Sequence, residues 1–191
     1  MKKKKFSTWE KEMKKADKEL EKEITIQSGI IYPLCMYVLW KDYGWRQQRI
    51  NNRMGECKKV WDECGEHSVN KSVLQMLEEE TGIELQLEGM KSYHEYSFLD
   101  TGAWKGRRLT PEIYTETRKA QKKWLGMTMI AAMALALHRS DGFGAERIGR
   151  FIAALDARRQ QLGEDPEAYR TMIKEETPEV YDLATLMKYY E

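Results

Sequence analysis

Proline is scarce, at four of 191 residues, and with 41% apolar and 33% charged residues that scarcity suits a helical chain better than a β-rich or disordered one. Cysteine is scarcer, and its number is odd. Cys35, Cys57 and Cys64 make no disulfide framework, so a reducing cytosol is the expected setting. Neither sign of charge dominates: 32 Lys and Arg face 31 Asp and Glu, so any electrostatic partner must be sought in local patches. No long apolar run occurs. The most apolar stretch, Met127 to Leu137, falls well short of the roughly 20 residues that cross a bilayer, and charges flank it, so no membrane span is expected. Lys2 to Lys5 resemble the start of a signal peptide, but Phe6-Ser7-Thr8-Trp9-Glu10 supplies no apolar segment, and secretion is not expected.

Chemical motifs are missing too. Cys57, Cys64 and His67 form C-x6-C-x2-H, without a fourth ligand or the CxxC knuckles of structural zinc, so the cysteines are read as core residues. Gly142 and Gly144 are followed by no Gly-Lys-Ser/Thr and preceded by no strand, which excludes a Walker loop and a dinucleotide fingerprint. His138 closes an apolar helix and is read as a packed histidine or one facing the helix C-terminus. No nucleophile, base and orienting group come together. The expectation is a non-enzymatic protein with no cofactor and no metal.

What is present is helical periodicity around Met127 to Arg159. Every side chain from Met127 to Leu137 is apolar except Thr128, so that helix is expected to be buried all round. Gly142 offers a left-handed stop, and a second helix should start near Ala145 with Ile148, Phe151, Ile152, Leu155 and Leu162 on one face, ending at Gly163. The pattern recurs 98 residues earlier, with Leu39, Lys41, Gly44, Trp45, Arg49 and Ile50 matching Leu137, Arg139, Gly142, Phe143, Arg147 and Ile148. An offset of 96 then lays Glu79-Glu80-Thr81 on Glu175-Glu176-Thr177. An internal duplication is the expected origin of this order.

Around these hairpins the remaining elements follow. Ser7 to Glu10 reads as a capping box opening a helix whose seam is Trp9, Met13, Ala16, Leu20 and Ile24. Gly29 and Pro33 predict a bend or a fresh start before the apolar run Ile30 to Trp40. Helices are expected over Arg46 to Cys64, ending at Gly65, over Val69 to Thr81, from Asp165-Pro166, and from Pro178 to Tyr190. Residues 83–109 lack helical periodicity and form either a loop or a short β-hairpin, before Thr110-Pro111 reopens a helix carrying Arg118, Lys119, Lys122 and Lys123. The fold expected is therefore all-α: a first helical half at 1–82, an irregular insert at 83–109 and a second half at 110–191.

Leu137 to Phe151, with Lys174-Glu175-Glu176-Thr177 and Glu78 to Leu85, resembles small accessory proteins of phages and mobile elements in Gram-positive bacteria. Residues 30–85 and 127–185 carry the resemblance. It implies a bacterial host cytosol and an accessory role, and its most specific form is inhibition of a CRISPR effector nuclease (an anti-CRISPR protein), with a bacterial host protein as partner. The alternative is a helix-turn-helix-like DNA-binding regulator, in which Arg46, Gln47, Arg49 and Asn52 would meet base edges and phosphates. Where the two halves differ most, the partner is expected to bind. Arginine and tryptophan dominate binding hot spots, which singles out Trp45, Arg46, Gln47, Arg49, Asn52 and Arg53 in the first hairpin and Trp104, Lys105, Arg107 and Arg108 in the insert.

Overall fold

The computed structural model describes residues 8–66, 73–85 and 111–176. Six helices run through them: α1 Thr8–Lys41, α2 Gln47–Glu66, α3 Val73–Thr81, α4 Pro111–Asp141, α5 Ala145–Leu162 and α6 Pro166–Glu176. No strand occurs among the described residues, and Ile83 to Leu85, which alternate in sequence, have no regular structure. The possible hairpin beyond Leu85, the capping serine Ser7 and the helix expected after Pro178 lie outside the described residues.

Two long helices form the axis. At about 1.5 Å per residue, α1 spans about 51 Å and α4 about 46 Å. They run parallel, because contacting positions rise together along both. Tyr114 Oη donates to Asp17 Oδ1 at 2.5 Å, and Arg118 Nε lies 3.0 Å from the same oxygen. Lys122 pairs with Glu23 at 3.5 Å, and Gly126 backs onto Gln27. The basic cluster read from the sequence is thus partly engaged by the acids of α1. The α1 seam also shifts: Met13, Ala16 and Leu20 are half-buried, whereas Trp9 and Ile24 remain 39% and 38% exposed.

Pro33 does not restart the helix. It sits inside a continuous α1, although a mid-helix proline removes one hydrogen bond and costs about 3 kcal/mol. The compensation is burial. Ile30 to Leu39 are all buried, and each large apolar side chain contributes about 1.5–3 kcal/mol on leaving water. Met127 to Leu137 are likewise buried, apart from half-buried Thr128, as their unbroken apolar character requires.

The shorter helices cross over. α2 and α3, which follow α1, pack chiefly on α4, while α6 packs on α1 and α5 touches α1 more than it touches α4. One core therefore contains residues from all six helices. In α2 the buried residues are Ile50, Met54, Cys57 and Val60, with Trp61 only half-buried, and the helix continues through Gly65 to Glu66. Leu74 joins Val73 and Leu77 on the buried face of α3, while Met76 is half-buried. At α6, Asp165 Oδ1 accepts from the Glu167 amide at 3.0 Å, the cap that its position before Pro166 predicts.

Candidate functional site: the paired glycine turns

Parallel α1 and α4 bring their C-terminal turns to one end of the molecule. Each turn closes in the same way. Gly44 has φ 65°, and its N–H donates to Trp40 O at 3.1 Å; Gly142 has φ 63°, and its N–H donates to His138 O at 3.0 Å. This left-handed cap turns the chain outward at no Cβ cost. The next residue then reaches further back, Trp45 N–H to Leu39 O at 3.0 Å and Phe143 N–H to Leu137 O at 3.3 Å. His138 Nδ1 lies 2.8 Å from Phe143 O, so that nitrogen carries the proton and donates.

Between the turns lies an aromatic cluster. Trp45 and Phe143 are buried and meet edge to face at 5.9 Å, while Tyr43 lies 5.3 Å from Phe143 and 6.4 Å from Phe151. A guanidinium covers each turn's aromatic ring. Arg49 sits 3.9 Å from the centre of Trp45, and Arg147 sits 3.9 Å from the centre of Phe143. Such stacking holds the guanidinium plane in place while its edge stays available for hydrogen bonds.

The two turns differ in what meets these arginines next. Asp141, its side chain only 6% exposed, takes Arg49 Nη2 at 3.0 Å and approaches Arg53 Nε at 2.6 Å. The second approach is an ionic contact without the alignment of a hydrogen bond. Ninety-eight residues before Asp141 stands Tyr43, which carries no charge and instead donates its hydroxyl to Arg147 O at 3.2 Å. Burial pushes the Tyr43 phenol above its usual range, while Arg150 and Arg147 oppose that rise. Arg150 has only a loose contact with Glu146, 3.7 Å away, and both side chains are well exposed.

The residues singled out from sequence therefore separate. Trp45 is core, 4% exposed, and cannot reach a partner as an anchor. Arg53 is largely covered by its contact with Asp141, whereas Arg49 is tethered but half exposed. Arg46 and Asn52 are exposed and Gln47 is half-buried. Trp104, Lys105, Arg107 and Arg108 lie outside the described residues. Arg147 and Arg150 lie off the apolar face of their helix, as the spacing predicts, but were not singled out for partner binding, and the contact of Asp141 with Arg49 and Arg53 was not anticipated. The 98-residue offset that aligns the glycines lays Tyr43 on Asp141, but nothing local in the sequence shows which side chain that carboxylate meets.

Among the described residues no three His, Cys, Asp or Glu side chains gather to hold a metal ion. Burial pushes the Cys57 thiol up to about 12 and Cys35 well above its ordinary value, so both stay as thiols in the core. The Cys64 side chain and His67 lie outside the described positions. No helix among the described residues is long and apolar enough to cross a membrane. Comparison with protein-family models, with curated proteins and with solved structures finds no match to this chain.

Proposed function

We propose that the chain is a non-enzymatic accessory protein that acts by binding a macromolecule through the end where its two glycine turns meet. One observation carries this reading: stacked and exposed arginines are displayed on a buried aromatic cluster. In its most specific form, which follows the resemblance to phage and mobile-element proteins, the partner is a CRISPR effector nuclease in a bacterial host cytosol.

A helix-turn-helix regulator is the second reading, supported by exposed Arg46, just before α2, and exposed Asn52 in its second turn. Paired use of both hairpins does not suit it. Successive major grooves lie about 34 Å apart, whereas the two turns touch through Trp45 and Phe143. We further read the two hairpins as copies of one unit, a reading supported by matched turn bonds, matched guanidinium stacks, and matched ion pairs Lys41–Glu176 and Arg139–Glu80.

The test titrates the purified protein into purified effector nucleases and measures cleavage. Inhibition complete near one equivalent, weakened by Arg46→Ala/Arg49→Ala or Arg107→Ala/Arg108→Ala in folded protein, supports the nuclease reading. Full cleavage at large excess with every effector, alongside sequence-dependent operator binding, replaces it with the regulator. Turnover of a substrate would remove both.

A further inference from the structure

The two turns have the same backbone but differ in charge. Asp141 engages Arg49 and Arg53 of α2. Tyr43, in the matching place of the other turn, leaves Arg147 with a ring beneath it and no carboxylate partner among the described residues. Arg150 follows one turn later on α5, 67% exposed. Arg49, Trp45, Phe143 and Arg147 form a continuous row, so the two stacked guanidinium carbons are at most about 14 Å apart. Both guanidinium groups are therefore close enough together to contact one duplex, whose major groove is roughly 12 Å wide.

We infer that this surface binds the phosphate backbone of duplex nucleic acid, with Arg147 and Arg150 as its principal contacts and Arg49 as a tethered third. The inference shares with the proposed function only that this end binds a macromolecule. Composition favours phosphate over an acidic protein. Protein hot spots rely on aromatic anchors entering a partner's pocket, but Trp45 and Phe143 are already consumed by their own core. Among the described residues the only exposed large hydrophobics are Trp9 and Ile24, both on the N-terminal part of α1, away from the turns. What remains at the turns is guanidinium and side-chain amide: Arg46, Arg49, Arg147 and Arg150, with Gln48, Asn51 and Asn52 along α2. Asp42 and Glu146 are exposed carboxylates beside them, while Glu176 and Glu80 are engaged by Lys41 and Arg139. Backbone contacts of this kind position a duplex without reading its sequence.

Fluorescence anisotropy with a dye-labelled mixed-sequence DNA duplex, measured across a salt series starting near 50 mM, tests this on the full-length protein. Wild type should bind, with affinity falling steeply as salt rises. Arg147→Ala/Arg150→Ala should weaken binding about tenfold or more and reduce the log–log salt slope by about two, one for each phosphate no longer neutralised. Arg170→Ala on α6 should do neither. Asp141→Asn, which frees Arg49 and Arg53, should tighten binding, a direction that mere damage to the fold would not produce. No duplex binding at low salt, or an unchanged slope in the folded double variant, overturns the inference. Nuclease inhibition without duplex binding overturns the inference alone, and duplex binding without inhibition of any nuclease overturns only the nuclease reading.

Discussion

Glycine has three different jobs in this chain, and substitution separates them. A Cβ on Gly29 would stand 3.3 Å from Pro166 Cβ, where α1 and α6 approach each other, and a proline ring yields little. Gly149 lies in α5 with nothing within 4 Å of a built Cβ, and Gly44 and Gly142 need positive φ. Alanine is better than glycine in a helix by about 0.8–1 kcal/mol. Gly149→Ala should therefore raise the melting temperature, whereas Gly29→Ala should lower it despite the same intrinsic gain. Thermal unfolding followed by circular dichroism checks the pair, and a rise in both would show that the α1–α6 approach is loose. Of these roles only the turn glycines were legible in sequence, because a stop signal is local. Gly29 looked like a helix breaker, since nothing local reveals a proline 137 residues away.

Helix by helix, periodicity predicted what periodicity can see. The apolar run from Met127 to Leu137 had no polar stripe, so its complete burial needed no knowledge of partners. Leu135→Asp, at a fully buried position, should cost several kcal/mol, a large part of a typical domain's stability. An unchanged melting temperature would contradict the core as described. Val60 and Leu74 are buried beside Trp61 and Val73, because the centre of a helical face depends on the neighbouring helix. Pro33 was misjudged for a related reason. Propensity is local, but the burial that overrides it comes from elements far along the chain. At the candidate site, the glycine turns and the arginines of α2 were legible. The neutralising role of Asp141 was not, because the carboxylate acts across 92 residues of sequence.

At the scale of the molecule, burial of the described thiols and phenols also shapes how stability responds to alkali. Cys35 and Cys57, then Tyr37, Tyr43, Tyr114 and Tyr169, all have their ionisation displaced upward, with burial as the leading cause. A hydrogen bond to Glu176 adds to the effect at Tyr37, as Asp17 does at Tyr114. For a group whose folded value is raised, the stabilisation is complete below the unfolded value and disappears as pH climbs through the folded one. The unfolded values are 9.0 for the thiols and 10.0 for the phenols, and Cys57 rises to about 12. On the alkaline side, the contribution of these groups to the melting temperature should hold up to about pH 8.5 and then fall progressively toward pH 12. Calorimetry across that range measures it, and a flat profile to pH 11 would mean that these side chains are reached by solvent.

The crossed packing of the shorter helices also sets a timetable for synthesis. α2 and α3 leave the ribosome before α4, the helix against which they chiefly pack. From the end of α3 at Thr81 to the end of α4 at Asp141 the ribosome adds about 60 residues, which at roughly 5–20 residues per second takes on the order of 3–12 s. Throughout that interval Ile30 to Leu39 and the inward faces of α2 and α3 lack their principal cover. The nascent chain thus carries uncovered apolar surface through that interval, and slowing translation between residues 82 and 141 would lengthen its exposure without altering the native fold.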